Sequence, residues 1–402
     1  MKHLRLIVRN TVAHGLNIAV GLAFAIAGAR LLPVGEYGDL RYAMTLLPLF
    51  MAFSLPGYDS IILRSASLRR RVPLLEIFYV RAGGALLGTM LMIGGVILFR
   101  ESINPVLRFF LLSIAVLLPF FETGTGYRNY LIGVHLREAG LTRVILARLM
   151  SLLMIGVFFL LIYACDLPRR YLLPAYLLAM ILPTLIMFFA IALRQHKMPR
   201  RLAQLQMPGA LAATLAGLVY TLAFSLDKLM VRQQLGAAEL ALYGILVMTP
   251  QELSKLFDAT VPLFYRTLFY SRQAFDLRRT YKAWLALLPL SAAYVICFHA
   301  LSAFVFGAAY HYAWWPVIVS GILIASQSFE YLNTHRIFAI SGSQALFRYS
   351  LFSLTMAMPL LAVGLFLGGM EGLMLGLIVK QVLAPLAFLR WAVRPSASPQ
   401  SP

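Results

Sequence analysis

Two glutamates stand in the middle of long apolar runs, and each is followed six residues later by an arginine: Glu122 with Arg128, and Glu330 with Arg336. At helical pitch, six residues advance about 9 Å along the axis and turn about 120° around it, so neither glutamate faces its own arginine. Each charge must find its partner on another helix, in water or in a bound molecule. Burial favours the protonated form of a carboxyl group, which makes Glu122 and Glu330 candidates for coupling to a proton or another cation. The competing reading is a structural ion pair between helices. A guanidinium group donates two parallel hydrogen bonds to a phosphate, so Arg128 and Arg336 are candidates for gripping an anionic headgroup. Arg30, Arg81 and Lys255 lie within or near the ends of apolar runs and complete the candidate cationic set, together with Arg148, Lys228 and Lys380.

The remaining chemistry-bearing residues are fewer. Cations at the ends of runs, such as Arg30, Arg64, Arg148, Arg232 and Lys380, could instead reach out to the membrane interface. Glu252, Lys255 and Asp258 follow one another at helical spacing, so Lys255 can pair with either acid. Asp227, beside Lys228, is a candidate gate. Asp59 follows Pro56-Gly57 and marks a kinked, movable segment. Cys165 and Cys297 offer neither a disulfide framework nor metal-ligand spacing. No zincin, phosphate-loop, nucleophile-elbow or dinucleotide-binding signature occurs, so no cofactor is expected and an enzyme is disfavoured.

The elements that must position these residues are membrane helices. The 402-residue chain is 61% hydrophobic with a mean hydropathy of +0.81. Runs of about 20 apolar residues, enough to cross a bilayer, are predicted at 11–32, 40–63, 74–98, 107–134, 144–164, 172–193, 209–232, 240–263, 283–306, 314–340, 350–369 and 372–393. The even-numbered loops and the two ends carry about 22 Lys and Arg, the odd-numbered loops about seven. Cytoplasmic loops hold the excess, which places both termini in the cytoplasm. The net charge of +20 is thereby explained by topology and lipid headgroups, without nucleic acid. An uncleaved first helix is expected in place of a signal peptide, and the Pro-rich tail 394–402 reads as disordered.

The chain also repeats itself. Phe121, Glu122, Arg128 and Ile132 recur as Phe329, Glu330, Arg336 and Ile340, an offset of 208 residues. A weaker echo links LLPVGE (Leu31 to Glu36) with QLGAAE (Gln234 to Glu239). Six spans per half return the chain to its starting side, so the repeat is parallel, with a pseudo-two-fold axis along the membrane normal. The expected organisation is an N-terminal lobe at 1–193, a linker at 194–208, a C-terminal lobe at 209–393 and the tail. Gly84-x-x-x-Gly88 permits close helix packing, and Trp314 and Trp315 sit where an interfacial aromatic belt would be.

ARLLPVGEYG (Ala29 to Gly38), SLDKLMVRQQLGAAELALYG (Ser225 to Gly244) and the turn LGGMEGLMLG (Leu367 to Gly376) resemble motifs of the oligosaccharide flippases. These belong to the multidrug/oligosaccharidyl-lipid/polysaccharide (MOP) exporter superfamily. The sequence departs from the pattern at Pro33, where the family usually has glycine; proline excludes a left-handed backbone there. The resemblance implies an all-α, MATE-like polytopic membrane protein of twelve helices in two pseudo-symmetric six-helix lobes. It further implies a bacterial inner-membrane flippase that moves undecaprenyl-pyrophosphate-linked oligosaccharide to the periplasmic leaflet for O-antigen or exopolysaccharide synthesis. A proton or sodium ion would be the coupling ion, with polysaccharide polymerase and chain-length machinery as partners. An ion-coupled multidrug exporter of the same superfamily is the alternative, though cationic drugs call for an acidic cavity. A polysaccharide polymerase would need a large periplasmic loop, and no odd-numbered loop exceeds roughly a dozen residues.

Overall fold

The computed structural model describes residues 2–67, 72–121, 123–134, 139–193, 201–260, 285 and 287–392. Side chains are described for all of these except 2–11, 13, 64, 67, 132–134, 139–141, 201–207, 255–260, 335, 336, 338–343, 391 and 392. Regular structure among the described residues is entirely helical. The first half contains α1 (Lys2–Leu31), α2 (Val34–Met51), α3 (Tyr58–Ser67), α4 (Leu74–Leu98), α5 (Pro105–Phe121), α6 (Gly126–Val134), α7 (Ala139–Ala164) and α8 (Leu172–Ala192). The second contains α9 (Arg201–Gln234), α10 (Ala237–Thr260), α11 (Leu288–Phe306) and α12 (Trp314–Ala392). The α9 helix thus already runs through part of the stretch expected as a linker, while 194–200 and the tail from 393 lie outside the described residues.

Among the described residues, eight helical stretches are long and apolar enough to cross a membrane, the last of them 47 residues long. The chain is a multi-pass membrane protein. The expected second, eighth and tenth spans fall outside that set because α2, with Glu36, Asp39 and Arg41, α10 and the start of α12 carry more polar residues. Two spans are broken where one helix each was expected. In the second, Leu55 takes a left-handed conformation (φ 53°) ahead of Pro56, and a short 3-10 turn at Ala52–Ser54 separates α2 from α3. In the fourth, expected as one helix over 107–134, a 3-10 turn at Thr123–Thr125 separates α5 from α6. Pro119 lacks the N–H that would bond Ala115, and the Thr89 hydroxyl of α4 donates to that carbonyl instead, at 2.8 Å.

The 79 residues of α12 would extend about 120 Å if straight, far beyond a bilayer. They fold back on themselves twice. Tyr349 donates to Glu330, 19 positions earlier, at 3.2 Å, so the chain reverses between the two. It reverses again at Gly369, where φ is +56°, and the backbones of Gly364 and Gly372 then touch: a Cβ on Gly372 would lie 2.1 Å from the Gly364 carbonyl oxygen. Three passes result, matching the expected tenth to twelfth spans. Gly372→Val should therefore part this hairpin and cost ~1–3 kcal/mol, read as a lowered thermal midpoint in detergent; an unchanged midpoint would contradict the close approach.

Within the halves, α1 packs on α7, α4 on α5, α9 on α12 and α11 on α12. Across the halves, α10 packs on α1 and α2, and α9 on α2 and α3. The pseudo-repeat thus places the first helices of each half against those of the other.

Candidate functional site

The first half presents half-buried arginines around two tyrosines. Arg128, on the short α6, donates from Nη2 to His14 Nε2 of α1 at 2.9 Å. Arginine has donors only, so His14 accepts through Nε2 and is neutral in this arrangement. The Tyr127 hydroxyl lies within coulombic reach of Arg128 and Arg148. That of Tyr176, on α8, lies within reach of Glu252, Arg148 and Arg41. Tyr176 also stacks on Phe24 of α1 at 4.0 Å between ring centres. Arg41, Arg128 and Arg148 are thus half-buried on α2, α6 and α7: Arg41 donates to Met248 Sδ at 3.2 Å and to the Gly244 carbonyl at 3.4 Å of α10, and Arg148 to Met180 Sδ of α8 at 3.8 Å. With Tyr127, Tyr176 and Glu252 they are among the polar groups that α2, α6, α7, α8 and α10 carry inside the bundle, and guanidinium groups have the chemistry to hold an anion.

The sequence-predicted residues are distributed as follows. Arg81 is fully buried, donating from Nη1 to Asp59 at 2.8 Å and from Nε to the Ser54 carbonyl at 3.0 Å. The two therefore meet at the break in the second span, where Arg81 supplies a donor to a carbonyl in the interrupted stretch. Arg30 stands at the end of α1 and donates to the carbonyls of Val305, at 3.0 Å, and Phe304. Glu330 is buried with Lys380 at 2.6 Å and Tyr349 at 3.2 Å. Its second oxygen, Oε2, has no hydrogen-bond partner among the described residues. Asp227 accepts from Tyr243 at 2.5 Å and lies 3.4 Å from Lys228. Glu122 lies outside the described residues, as do the side chains of Lys255, Asp258 and Arg336.

Sequence reasoning missed Asp39. It is 3% exposed and accepts from Arg232 Nη2 at 2.8 Å and Asn104 Nδ2 at 2.6 Å. It also missed His14 and the inward placing of Arg41, which had counted as a loop cation. For two of them a signal was present: an acid immediately before the expected second span, and a histidine four residues into the first.

No protein-family model and no curated relative matches the sequence. Solved structures do. An inward-facing multidrug resistance MATE family transporter of the MOP superfamily aligns over 96% of this chain and 97% of its own, at 16% identity and TM-score 0.63. The chain has the MATE transporter fold. An outward-facing MATE transporter aligns at 14% identity and TM-score 0.64, over 97% of this chain and 94% of its own. The two conformations match about equally, so the likeness does not choose between them. A MOP superfamily transporter from Pyrococcus furiosus, described as having a binding pocket of reversed polarity and a different function, aligns at 15% identity and TM-score 0.63 over the same shares.

Proposed function

We propose that the chain is an alternating-access transporter, in which the two halves rock about the region bordered by Arg41, Arg128 and Arg148. The observation that carries this is the presence of three half-buried guanidinium groups on helices of a MATE-fold protein. A cation inside a bilayer is retained where it lines a polar path, and the planar fork of arginine suits phosphate. The substrate that fits is a lipid carrying a pyrophosphate and a polar head, as in undecaprenyl-pyrophosphate-linked oligosaccharide. Its head would pass between the lobes while its tail stays in lipid. The excess of cations on the even-numbered loops supports cytoplasmic termini in a bacterial inner membrane.

Multidrug export is the second reading, and the solved neighbours favour it, since two of them are described as multidrug resistance transporters. Glu252 near Tyr176 would be its cation-binding group. The test is flipping in proteoliposomes of a fluorescent undecaprenyl-pyrophosphate sugar against export of ethidium. Flipping of the lipid, with no ethidium transport, supports the anionic substrate; the opposite result replaces it. Under the flippase reading, Arg128→Ala and Arg336→Ala should each lower flipping by about tenfold or more, the worth of a charge-assisted bond to phosphate, with insertion intact. Wild-type rates in both variants would remove these arginines from the substrate path.

A further inference from the structure

Both halves end their first helix with an arginine: Arg30 in the last turn of α1 and Arg232 in the last turn of α9. Each reaches across to the other half on the face of the odd-numbered loops. Arg30 donates to the end of α11, at Phe304 and Val305. Arg232 donates to Asp39 of α2 and lies over the Tyr42 ring at 5.7 Å. The start of α2, just after LLPVGE, also meets QLGAAE here: a Cβ on Gly38 would lie 1.7 Å from the Ala237 carbonyl oxygen, so only glycine permits this approach. Tyr37 packs edge-on against Tyr310 at 6.1 Å. Burial raises the pKa of the Tyr310 hydroxyl, which stays neutral.

We infer that Asp39, Asn104 and Arg232 form a breakable latch that closes the odd-numbered-loop face between the halves; the inference rests on the alternating-access reading. The three groups play different parts. Asn104 belongs to the same half as Asp39 and is fixed in place, because its Oδ1 accepts from the Leu107 N–H at the start of α5, at 2.7 Å. Asp39 therefore keeps one hydrogen bond whether the face is closed or open. Arg232 is the crossing partner, and its Nε has no hydrogen-bond partner among the described residues. On opening, a carboxylate still held by Asn104 and a guanidinium already short of one acceptor both pass into water. A buried carboxylate with one replaceable, partly exposed partner can thus hold the face shut and yet release it. Arg30, bonded to neutral carbonyls, is the weaker of the two crossings.

The test places spin labels at Leu167→Cys and Leu235→Cys, exposed positions on this face in opposite halves, after both native cysteines are changed to serine. Distances are measured on the full chain in nanodiscs. Asp39→Asn offers one amide oxygen to two donors, and its own NH2 must then face Asn104 or Arg232. The population at long distance should rise about tenfold. Arg232→Gln should do the same, and serves if the first variant fails to insert; Asp39→Arg with Arg232→Asp should restore the short distance in part. Unchanged distances in the single variants, beside a wild type that samples both, overturn the latch and leave alternating access standing. One invariant distance in every sample, wild type included, while proteoliposomes transport the lipid probe, overturns both.

Discussion

Replacing Lys380 by methionine should destabilise the folded protein by about 3–5 kcal/mol, seen as a lowered thermal midpoint in detergent. Lys380 and Glu330 are 1% and 0% exposed, on two passes of α12. Removing the ammonium leaves a carboxylate with Tyr349 as its remaining partner and Oε2 with none among the described residues. An uncompensated charge at that depth is among the most costly defects a helix bundle can carry. The double variant Glu330→Gln with Lys380→Met removes both charges and should recover most of the midpoint. If Lys380→Met alone leaves the midpoint where it was, the pair is not holding these two passes together. Transport in Glu330→Gln then separates the two roles the sequence left open. Loss of ion dependence in a stable protein assigns Glu330 to coupling, and unaltered dependence assigns it to packing.

The passes of the bundle were legible because a bilayer leaves the backbone few options: each apolar run long enough to cross it must be a helix. What the hydropathy pattern could not convey was where a helix breaks inside its run. Pro56-Gly57 announced the interruption of the second span, whereas in the fourth the break falls on Thr123–Thr125, a polar, Gly-containing stretch just after Pro119 that the expected single helix ran through. LLPVGE and QLGAAE echo each other in sequence, and the structure brings α2, just after the first, against the second at Gly38 and Ala237. Side-chain partners were the hardest to read. Arg81 sits mid-run like Arg128, yet one is buried against Asp59 while the other is half-buried against His14. Spacing along one helix says which residues share a face, but the partner on another helix is fixed only by packing. Asp39 escaped notice for that reason: its donors lie 65 and 193 positions away.

Arg81→Met should cost about 3 kcal/mol of stability, less than the lysine change, because Asp59 is 24% exposed on its side chain and water can reach it. The guanidinium spans two acceptors, the Asp59 carboxylate and the Ser54 carbonyl, in one planar fork. Lysine supplies the charge but not that fork, so Arg81→Lys should recover only part of the lost midpoint. The neighbourhood makes the cost more than local. Gly57, in the same break, donates its N–H to Thr214 of α9 at 3.0 Å, and the Ala210 carbonyl oxygen lies where a Cβ on Gly57 would sit, at 2.0 Å. Loosening the break therefore loosens a contact between halves. The same pair of variants discriminates a pivot from a substrate ligand. If Arg81 is the pivot, Arg81→Lys lowers the midpoint while binding of the fluorescent undecaprenyl-pyrophosphate probe, per folded molecule, is unchanged. If Arg81 instead holds the substrate, Arg81→Lys weakens probe binding and leaves the midpoint alone. Its complete burial beside Asp59 argues for the first result, since an anion could reach it only by displacing the carboxylate that already compensates its charge.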